Sequence, residues 1–175
     1  SLFKKALRKI KLNWNEINTI LVLGFGTGSI AEIINKYNQN CTIEGVEIDS
    51  KIIELGKKYF NTDLLKNVII HCSSAEQFLE NCENKFDLIL IDVYIDSKVP
   101  ETIETEQFLL NIKNALNDGG MVVFNKFIYS KTSRNQISVL KELYEKTFNN
   151  LQILSIMITG KIFFAKKLPE SKIRY

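Results

Sequence analysis

Short apolar runs alternate along the chain with stretches in which apolar residues recur at helical spacing. Such near-continuous runs of Val, Ile and Leu are typical of strands buried on both faces, as in a parallel sheet. The alternation predicts an α/β domain with a mostly parallel sheet and right-handed crossovers. The five predicted parallel strands are Thr19–Leu23, Thr42–Ile48, Val68–Cys72, Phe86–Ile91 and Met121–Asn125.

The two ends of the chain follow different patterns. Leu151–Thr159 and Lys161–Lys166 flank Gly160 and predict a C-terminal β-hairpin. Before the first strand, an apolar stripe that includes Phe3 and Leu7 lies among basic residues. We therefore expect a basic N-terminal helix within residues 1–16, packed on one α/β domain that spans residues 17–175.

Composition narrows the class of protein. The 175 residues suit one domain, and 45% hydrophobic with 25% charged residues is ordinary for a soluble globular protein. The longest apolar run is far shorter than a membrane span, so no membrane partner is expected. A net charge of +3 does not indicate nucleic-acid binding. Three cysteines without metal or disulfide spacing predict a reducing, cytoplasmic location and no metal.

The segment that carries most chemical information is the glycine-rich loop after the first predicted strand. Gly24, Gly26 and Gly28 let the chain turn sharply and let its backbone approach a ligand closely. Ser29 stands where the dinucleotide pattern G-x-G-x-x-G requires its last glycine, which disfavours an NAD enzyme. An ordinary strand-to-helix turn is the alternative interpretation.

An acidic residue ends the second predicted strand. Glu47 follows the loop by about the 20 residues expected of an acid that binds a ribose. The ends of the first two strands lie side by side in such a fold, so the loop and Glu47 would flank one crevice. Asp49 is expected to cap the next helix, and a plain surface acid is the alternative for Glu47.

These features resemble a known family when taken together with later segments. Leu23–Ser29, Val46–Phe60, Phe86–Tyr94, Thr105–Leu109 and Gly119–Asn125 carry the resemblance, which covers about residues 18–168. The pattern resembles the class I S-adenosylmethionine-dependent methyltransferase fold and, within it, spermidine-synthase-like proteins. The resemblance implies a Rossmann-like three-layer sandwich whose seven-stranded, mostly parallel sheet ends in an antiparallel hairpin.

The resemblance also implies a cofactor site for an S-adenosyl sulfonium compound. Glu47 would hold the ribose, and Ser74 stands where the family commonly has an adenine-contacting Asp. A serine hydroxyl can still accept a hydrogen bond from the exocyclic amine of adenine. The residues expected to contact the cofactor are Gly24, Phe25, Gly26, Thr27, Gly28, Glu47, Ile48, Ser74, Ala75 and Asp92.

The expected transfer site follows the fourth strand. By the resemblance, Asp92 matches an acid that accepts a proton from an amine nucleophile, and a loop-capping role is the alternative. The family has a D-x-x-D-P arrangement, whereas this chain has Asp96 one position later and no proline after it. Tyr94 would line the pocket or form part of the core or rim. The acidic segment Tyr94–Glu106 is predicted to be either a lid suited to a cationic amine or a solvated loop.

The resulting prediction is a transferase that moves an aminopropyl group from decarboxylated S-adenosylmethionine to a small amine. The altered acidic motif keeps a second hypothesis open, methyl transfer from S-adenosylmethionine to an unknown acceptor. A third hypothesis is a catalytically silent member of the fold that binds a nucleoside or a partner. A homodimer is also left open.

Overall fold

The computed structural model describes residues 2–94, 99–127, 131–148, 150–156 and 160–169. Within them, seven strands form one sheet in the order β3-β2-β1-β4-β5-β7-β6. The strands are β1 (Thr19–Leu23), β2 (Thr42–Glu47), β3 (Val68–Cys72), β4 (Phe86–Ile91), β5 (Leu116–Phe127), β6 (Gln152–Ile156) and β7 (Gly160–Lys166). The helices are α1 (Leu2–Ile10), α2 (Ser29–Asn35), α3 (Ser50–Phe60), α4 (Ala75–Glu80), α5 (Glu106–Ala115) and α6 (Lys131–Phe148).

The direction of the strands sets the position of the crevice. Strands β3, β2, β1, β4 and β5 pair in parallel, and the hairpin β6–β7 joins β5 in antiparallel direction. Leu23 at the end of β1 pairs with both Val46 of β2 and Ile91 of β4. The chain order reverses at β1, so a crevice opens beyond the carboxyl ends of these three strands.

Helices cover both faces of the sheet. On each face, the helices and the sheet bury one apolar layer between them. One layer includes residues of α4, α5 and α6, with Tyr144 among its fully buried side chains. The other includes residues of α1 and α2, with Phe3 and Leu7 buried. The predicted mostly parallel three-layer sandwich with a terminal antiparallel hairpin is therefore confirmed.

Several predicted boundaries differ from those observed. β2 ends at Glu47 rather than Ile48, and β6 covers only Gln152–Ile156 of the predicted Leu151–Thr159. Positions 157–159 of that prediction lie outside the described residues. β3 was predicted to be buried but forms the edge of the sheet, where the side chain of Ile69 is 53% exposed. An apolar run alone does not distinguish a covered edge from a central strand.

The start of β5 also differs from its prediction, Met121–Asn125. Leu116 already pairs with Phe86, and the next paired residues are Met121 and Leu88. The four residues between Leu116 and Met121 therefore bulge out opposite a single residue of β4. Gly119 has φ +82° in this bulge, which explains why a turn-like sequence lies inside the strand.

Candidate active site

A cavity of about 590 Å³ lies beyond the carboxyl ends of β1, β2 and β4. This volume is within the usual range for sites that bind small molecules. The lining residues come from the end of β2, from the loops that follow β1, β2, β3 and β4, from the starts of α2, α3 and α4, and from the segment before α5. They are Gly24, Phe25, Gly26, Thr27, Ser29, Ile30, Val46, Glu47, Ile48, Ile52, Ser73, Ser74, Ala75, Glu76, Asp92, Val93, Tyr94, Pro100 and Thr102.

The glycine loop begins with a close contact between two strand ends. The backbone N–H of Gly24 donates to the carbonyl oxygen of Val46 at 2.9 Å. A Cβ added to Gly24 would stand 2.4 Å from the backbone oxygen of Asp92, and its φ is +81°. Glycine is therefore required here both for the backbone conformation and for the approach of the segment that carries Asp92.

Glu47 connects the glycine loop to the start of α3 through its two carboxylate oxygens. Oε2 accepts from the backbone N–H of Gly26 at 2.9 Å, and Oε1 accepts from the backbone N–H of Asp49 at 3.0 Å. The residue is 9% exposed and lines the cavity. Each carboxylate oxygen has a second acceptor position, so the group keeps capacity for hydroxyl donors from a ligand. Asp49 itself caps α3 by accepting from the backbone N–H of Lys51.

Two residues of the predicted cofactor loop have a packing role in the structure. Gly28 is not among the cavity-lining residues, and a Cβ added to it would stand 2.4 Å from the methyl group of Thr62. Phe25 contributes to the lining, but it is only 2% exposed. Its ring covers Gly45 of β2, where an added Cβ would stand 2.2 Å from a ring carbon. Gly45 thus makes room for the aromatic ring that supports the loop.

The opposite wall of the cavity is built around the start of α4. Ser74 is the N-cap of this helix and accepts from the backbone N–H of Gln77, and Ala75 follows it on the wall. Glu76 accepts a hydrogen bond from the hydroxyl of Thr102, which joins α4 to the segment before α5. Ile48 is 59% exposed beside Glu47 and gives the cavity an apolar rim.

Asp92 lies directly after β4 and is held by a neighbouring strand. Its Oδ1 accepts from the side-chain amide of Asn125 at 2.9 Å. Burial raises the pKa of the Asp92 carboxyl above its ordinary value, and the hydrogen bond from Asn125 opposes that rise. A partly desolvated carboxylate of this kind is a better proton acceptor than one in water.

Tyr94 lies on the same segment and lines the cavity. Its hydroxyl donates to the backbone oxygen of Asn125 at 2.7 Å, and its ring packs edge-on against Phe127. Asp96, the other acid predicted at the transfer end, lies outside the described residues. The structure therefore brings Asp92 and Tyr94 together around Asn125.

The acids of the predicted lid are partly engaged elsewhere. Glu104 forms an ion pair with the buried ammonium of Lys126 at 2.5 Å, and Glu106 forms one with Lys146 at 2.7 Å. These two carboxylates stabilise the segment itself, so they contribute less to attraction of a cation than the sequence suggests.

Three residues that help to build the site, Asn125, Glu76 and Thr102, are not among the predicted site residues. Asn125 had a usable signal, because a polar residue at the carboxyl end of a buried parallel strand faces the ligand edge of such a sheet. Glu76 and Thr102 had none, since their contact joins positions far apart in the sequence.

Two features are absent from the residues that the structure describes. No helix in this part of the chain is long and apolar enough to cross a membrane. No group of three or more His, Cys, Asp or Glu side chains with metal-binding geometry occurs among these residues.

The fold is shared with solved structures of methyltransferases and spermidine synthases. A solved structure of human methyltransferase-like protein 13 in complex with S-adenosylhomocysteine has a TM-score of 0.80 at 22% identity, covering 99% of this chain and 86% of that one. Spermidine synthase from Thermotoga maritima has a TM-score of 0.77 at 17% identity, covering 95% of this chain and 60% of that one.

Sequence comparison identifies the family within this fold. The family model described as Spermine/spermidine synthase domain matches residues 4–166, and the chain belongs to that family. A protein of Bifidobacterium longum named "Probable polyamine aminopropyl transferase" is 30% identical over 153 residues, 86% of this chain and 34% of that protein. A protein of Xenopus laevis named "eEF1A lysine and N-terminal methyltransferase" is 27% identical over 139 residues, 73% of this chain and 20% of that protein.

The predicted resemblance is thus confirmed at the level of family and fold, and the relatives are named as transferases. The chain spans about a third of the Bifidobacterium protein and a fifth of the Xenopus protein.

Proposed function

We propose that the cavity binds decarboxylated S-adenosylmethionine and that the chain transfers its aminopropyl group to a small amine. The charge of the cavity carries this proposal. Glu47, Glu76 and Asp92 line it, and no Lys, Arg or His belongs to its described lining. The proposed cofactor has a sulfonium and an ammonium group and no carboxylate, so a cavity of this sign favours it. The name of the Bifidobacterium relative supports the same choice.

The cofactor would lie across the glycine loop. Glu47 would accept hydrogen bonds from the ribose hydroxyls while it keeps its bonds to Gly26 and Asp49. Ser74 and Ala75 would contact the adenine, which places the sulfonium end toward Asp92. Gly26 leaves open space where a side chain would begin, so the backbone can lie close to the nucleoside.

The transfer needs little more than alignment and one proton acceptor. The nitrogen of the amine attacks the carbon next to the sulfonium, a C–N bond forms, and the C–S bond breaks. Its electron pair stays on sulfur, so the leaving group is the neutral thioether methylthioadenosine and no general acid is required. Before this attack, the Asp92 carboxylate would accept a proton from the incoming amine, which is an ammonium at neutral pH, and pass it to water; the product then leaves as a secondary ammonium. Holding the two reacting atoms in line is the main source of rate in such a step.

Methyl transfer from S-adenosylmethionine is the second candidate. Thr27 and Ser29, which both carry hydroxyl groups, line the cavity at the glycine loop and directly after it. Hydroxyl donors can bind the carboxylate that S-adenosylmethionine retains, and the name of the Xenopus relative supports this reading. In that reaction Glu47 would still bind the ribose and Asp92 would still accept a proton, but a methyl group would be transferred instead of an aminopropyl group.

A thermal-shift panel separates these functions. A ligand present at 100 times its Kd adds about 2.7 kcal/mol of stability, which corresponds to a rise in Tm of roughly 5–10 °C for a domain of this size. We expect the order decarboxylated S-adenosylmethionine, then S-adenosylmethionine, with NADH inactive. The reversed order between the first two would favour methyl transfer. No shift with either, or with methylthioadenosine, would leave a silent member of the fold.

Product analysis completes the test. The wild-type chain, incubated with putrescine and decarboxylated S-adenosylmethionine, should yield an amine one aminopropyl group heavier by mass spectrometry. Asp92→Asn is expected to lose turnover but to keep most of its affinity for methylthioadenosine. Undiminished turnover in this variant would remove Asp92 from the mechanism.

A further inference from the structure

One buried residue, Asn125, contacts two of the three side chains predicted at the transfer end. Asn125, near the carboxyl end of β5, is 3% exposed. Its Nδ2 donates to Asp92 at 2.9 Å, and its backbone oxygen accepts from the Tyr94 hydroxyl at 2.7 Å. The side chain and the main chain of one residue thus fix two groups of the cavity wall.

The other half of the amide has no hydrogen-bond partner. Oδ1 of Asn125 is buried and accepts no hydrogen bond from the described residues. A buried acceptor left without a partner destabilises a fold, whereas an apolar side chain of similar size at this position would avoid that cost. Among the described residues, the one hydrogen bond that the side-chain amide makes is to Asp92.

We infer that Asn125 is a positioning residue that keeps the Asp92 carboxylate ionised and oriented for proton transfer. This inference rests on the proposed function, because it assigns Asn125 to the proton acceptor of that reaction. An amide N–H cannot be transferred under these conditions, so Asn125 stabilises the charge of its neighbour without competing for the proton.

Among the described residues around Asp92, only Asn125 is placed to stabilise the charge of its carboxylate. Glu47 and Glu76 share the cavity and are acids, and Tyr94 directs its hydroxyl to the main chain of β5. Lys126, the next residue on β5, is buried and paired with Glu104. Among the described residues, Asn125 is the one side chain that donates to the Asp92 carboxylate, and its hydrogen bond counteracts the effect of burial on the pKa of that group.

The test is a titration of Asp92 in Asn125→Leu. Carbon-13 NMR of labelled aspartate carboxyls measures the pKa of Asp92 directly, with Asp92→Asn to assign its resonance. We expect the pKa to rise in Asn125→Leu, because burial is then unopposed. We also expect kcat/KM with putrescine to fall roughly tenfold or more, with the acidic limb of its pH profile moved to higher pH.

Asn117→Leu is the matched control. Asn117 also donates from Nδ2 to an aspartate, Asp87, at 2.8 Å, but both lie at the opposite end of the sheet. Asn117→Leu should lower the free energy of unfolding without changing the titration of Asp92 or the pH profile of kcat/KM. A purely structural role for Asn125 predicts the same behaviour for both variants.

A second variant covers the case in which Asn125→Leu does not fold. Asn125→Asp fits the same volume and places two carboxyl groups within hydrogen-bond distance, so the pair must hold a proton to higher pH than Asp92 alone. An unchanged titration of Asp92 in whichever variant folds would overturn the inference. A raised pKa of Asp92 in Asn125→Leu, in a protein whose wild type transfers neither aminopropyl nor methyl groups, would support the effect of Asn125 on the ionisation of Asp92 and refute the proposed function.

Discussion

Gly26→Ala separates the binding role of the glycine loop from its structural role. Gly26 has φ +57°, and a Cβ added to it would meet no atom within 4 Å. The open space in question is that of the cavity, because Gly26 is one of its lining residues. The methyl group should therefore be tolerated by the empty protein but obstruct a nucleoside that lies against the loop.

The expected cost to stability is small. The left-handed conformation costs an L-residue about 1–2 kcal/mol, and the lower entropy of the unfolded chain returns about 0.4–1 kcal/mol. The net loss of about 1 kcal/mol should lower Tm by about 2–4 °C for a domain of this length. Affinity for methylthioadenosine should fall by at least about tenfold, or 1.4 kcal/mol.

Gly119→Ala is the control with the same backbone chemistry. Gly119 has φ +82° and open space at its Cβ, but it lies in the β5 bulge, away from the cavity. We expect the same loss of Tm and no change in affinity. Isothermal titration with methylthioadenosine measures the difference between the two variants. Equal, near-wild-type affinity in both would refute a nucleoside packed on the loop.

Three further outcomes follow from the geometry. Glu47→Gln loses one acceptor oxygen, so the free energy of unfolding should fall by about 1–3 kcal/mol. The affinity for methylthioadenosine, measured by calorimetry, should fall as well. An affinity equal to that of the wild type would argue against ribose binding by Glu47. Burial raises the pKa of the Asp92 carboxyl in the folded protein. The contribution of Asp92 to the free energy of unfolding is therefore most favourable at low pH and is lost as pH rises through that pKa. Asp92→Asn should therefore gain Tm over wild type at neutral pH and lose that gain on acidification; a gain independent of pH would contradict the assignment. Lys126→Met should lower the free energy of unfolding, measured with urea, by about 3–5 kcal/mol because it leaves Glu104 unpaired. The double variant with Glu104→Met should recover much of this loss. Strictly additive losses would show that the two residues are not coupled.

The sequence was sufficient for the architecture because the informative signals are local. Unbroken apolar runs located the parallel strands, and the loop Gly24–Gly28 together with Glu47 located the crevice. Asp49 was recognisable as a helix cap from its position before an apolar periodic stretch, and it caps α3 in the structure.

The parts that escaped prediction depend on contacts between distant positions. Nothing local shows that the Phe25 ring rests on Gly45, that Glu76 binds Thr102, or that Lys126 is buried against Glu104. The edge position of β3 is likewise a property of strand order rather than of its own residues. The ion pairs of Glu104 and Glu106 were also not predictable, since an acidic segment has the same composition whether its charges face a substrate or a lysine.

The central claim is that this cavity holds an adenosine whose ribose is bound by Glu47. A crystal structure of the chain with methylthioadenosine tests it most directly. The account predicts both ribose hydroxyls within hydrogen-bond distance of the Glu47 carboxylate, the nucleoside over Gly26 and its sulfur facing Asp92. A nucleoside bound elsewhere on the protein, or one in this cavity with its ribose turned away from Glu47, would contradict it.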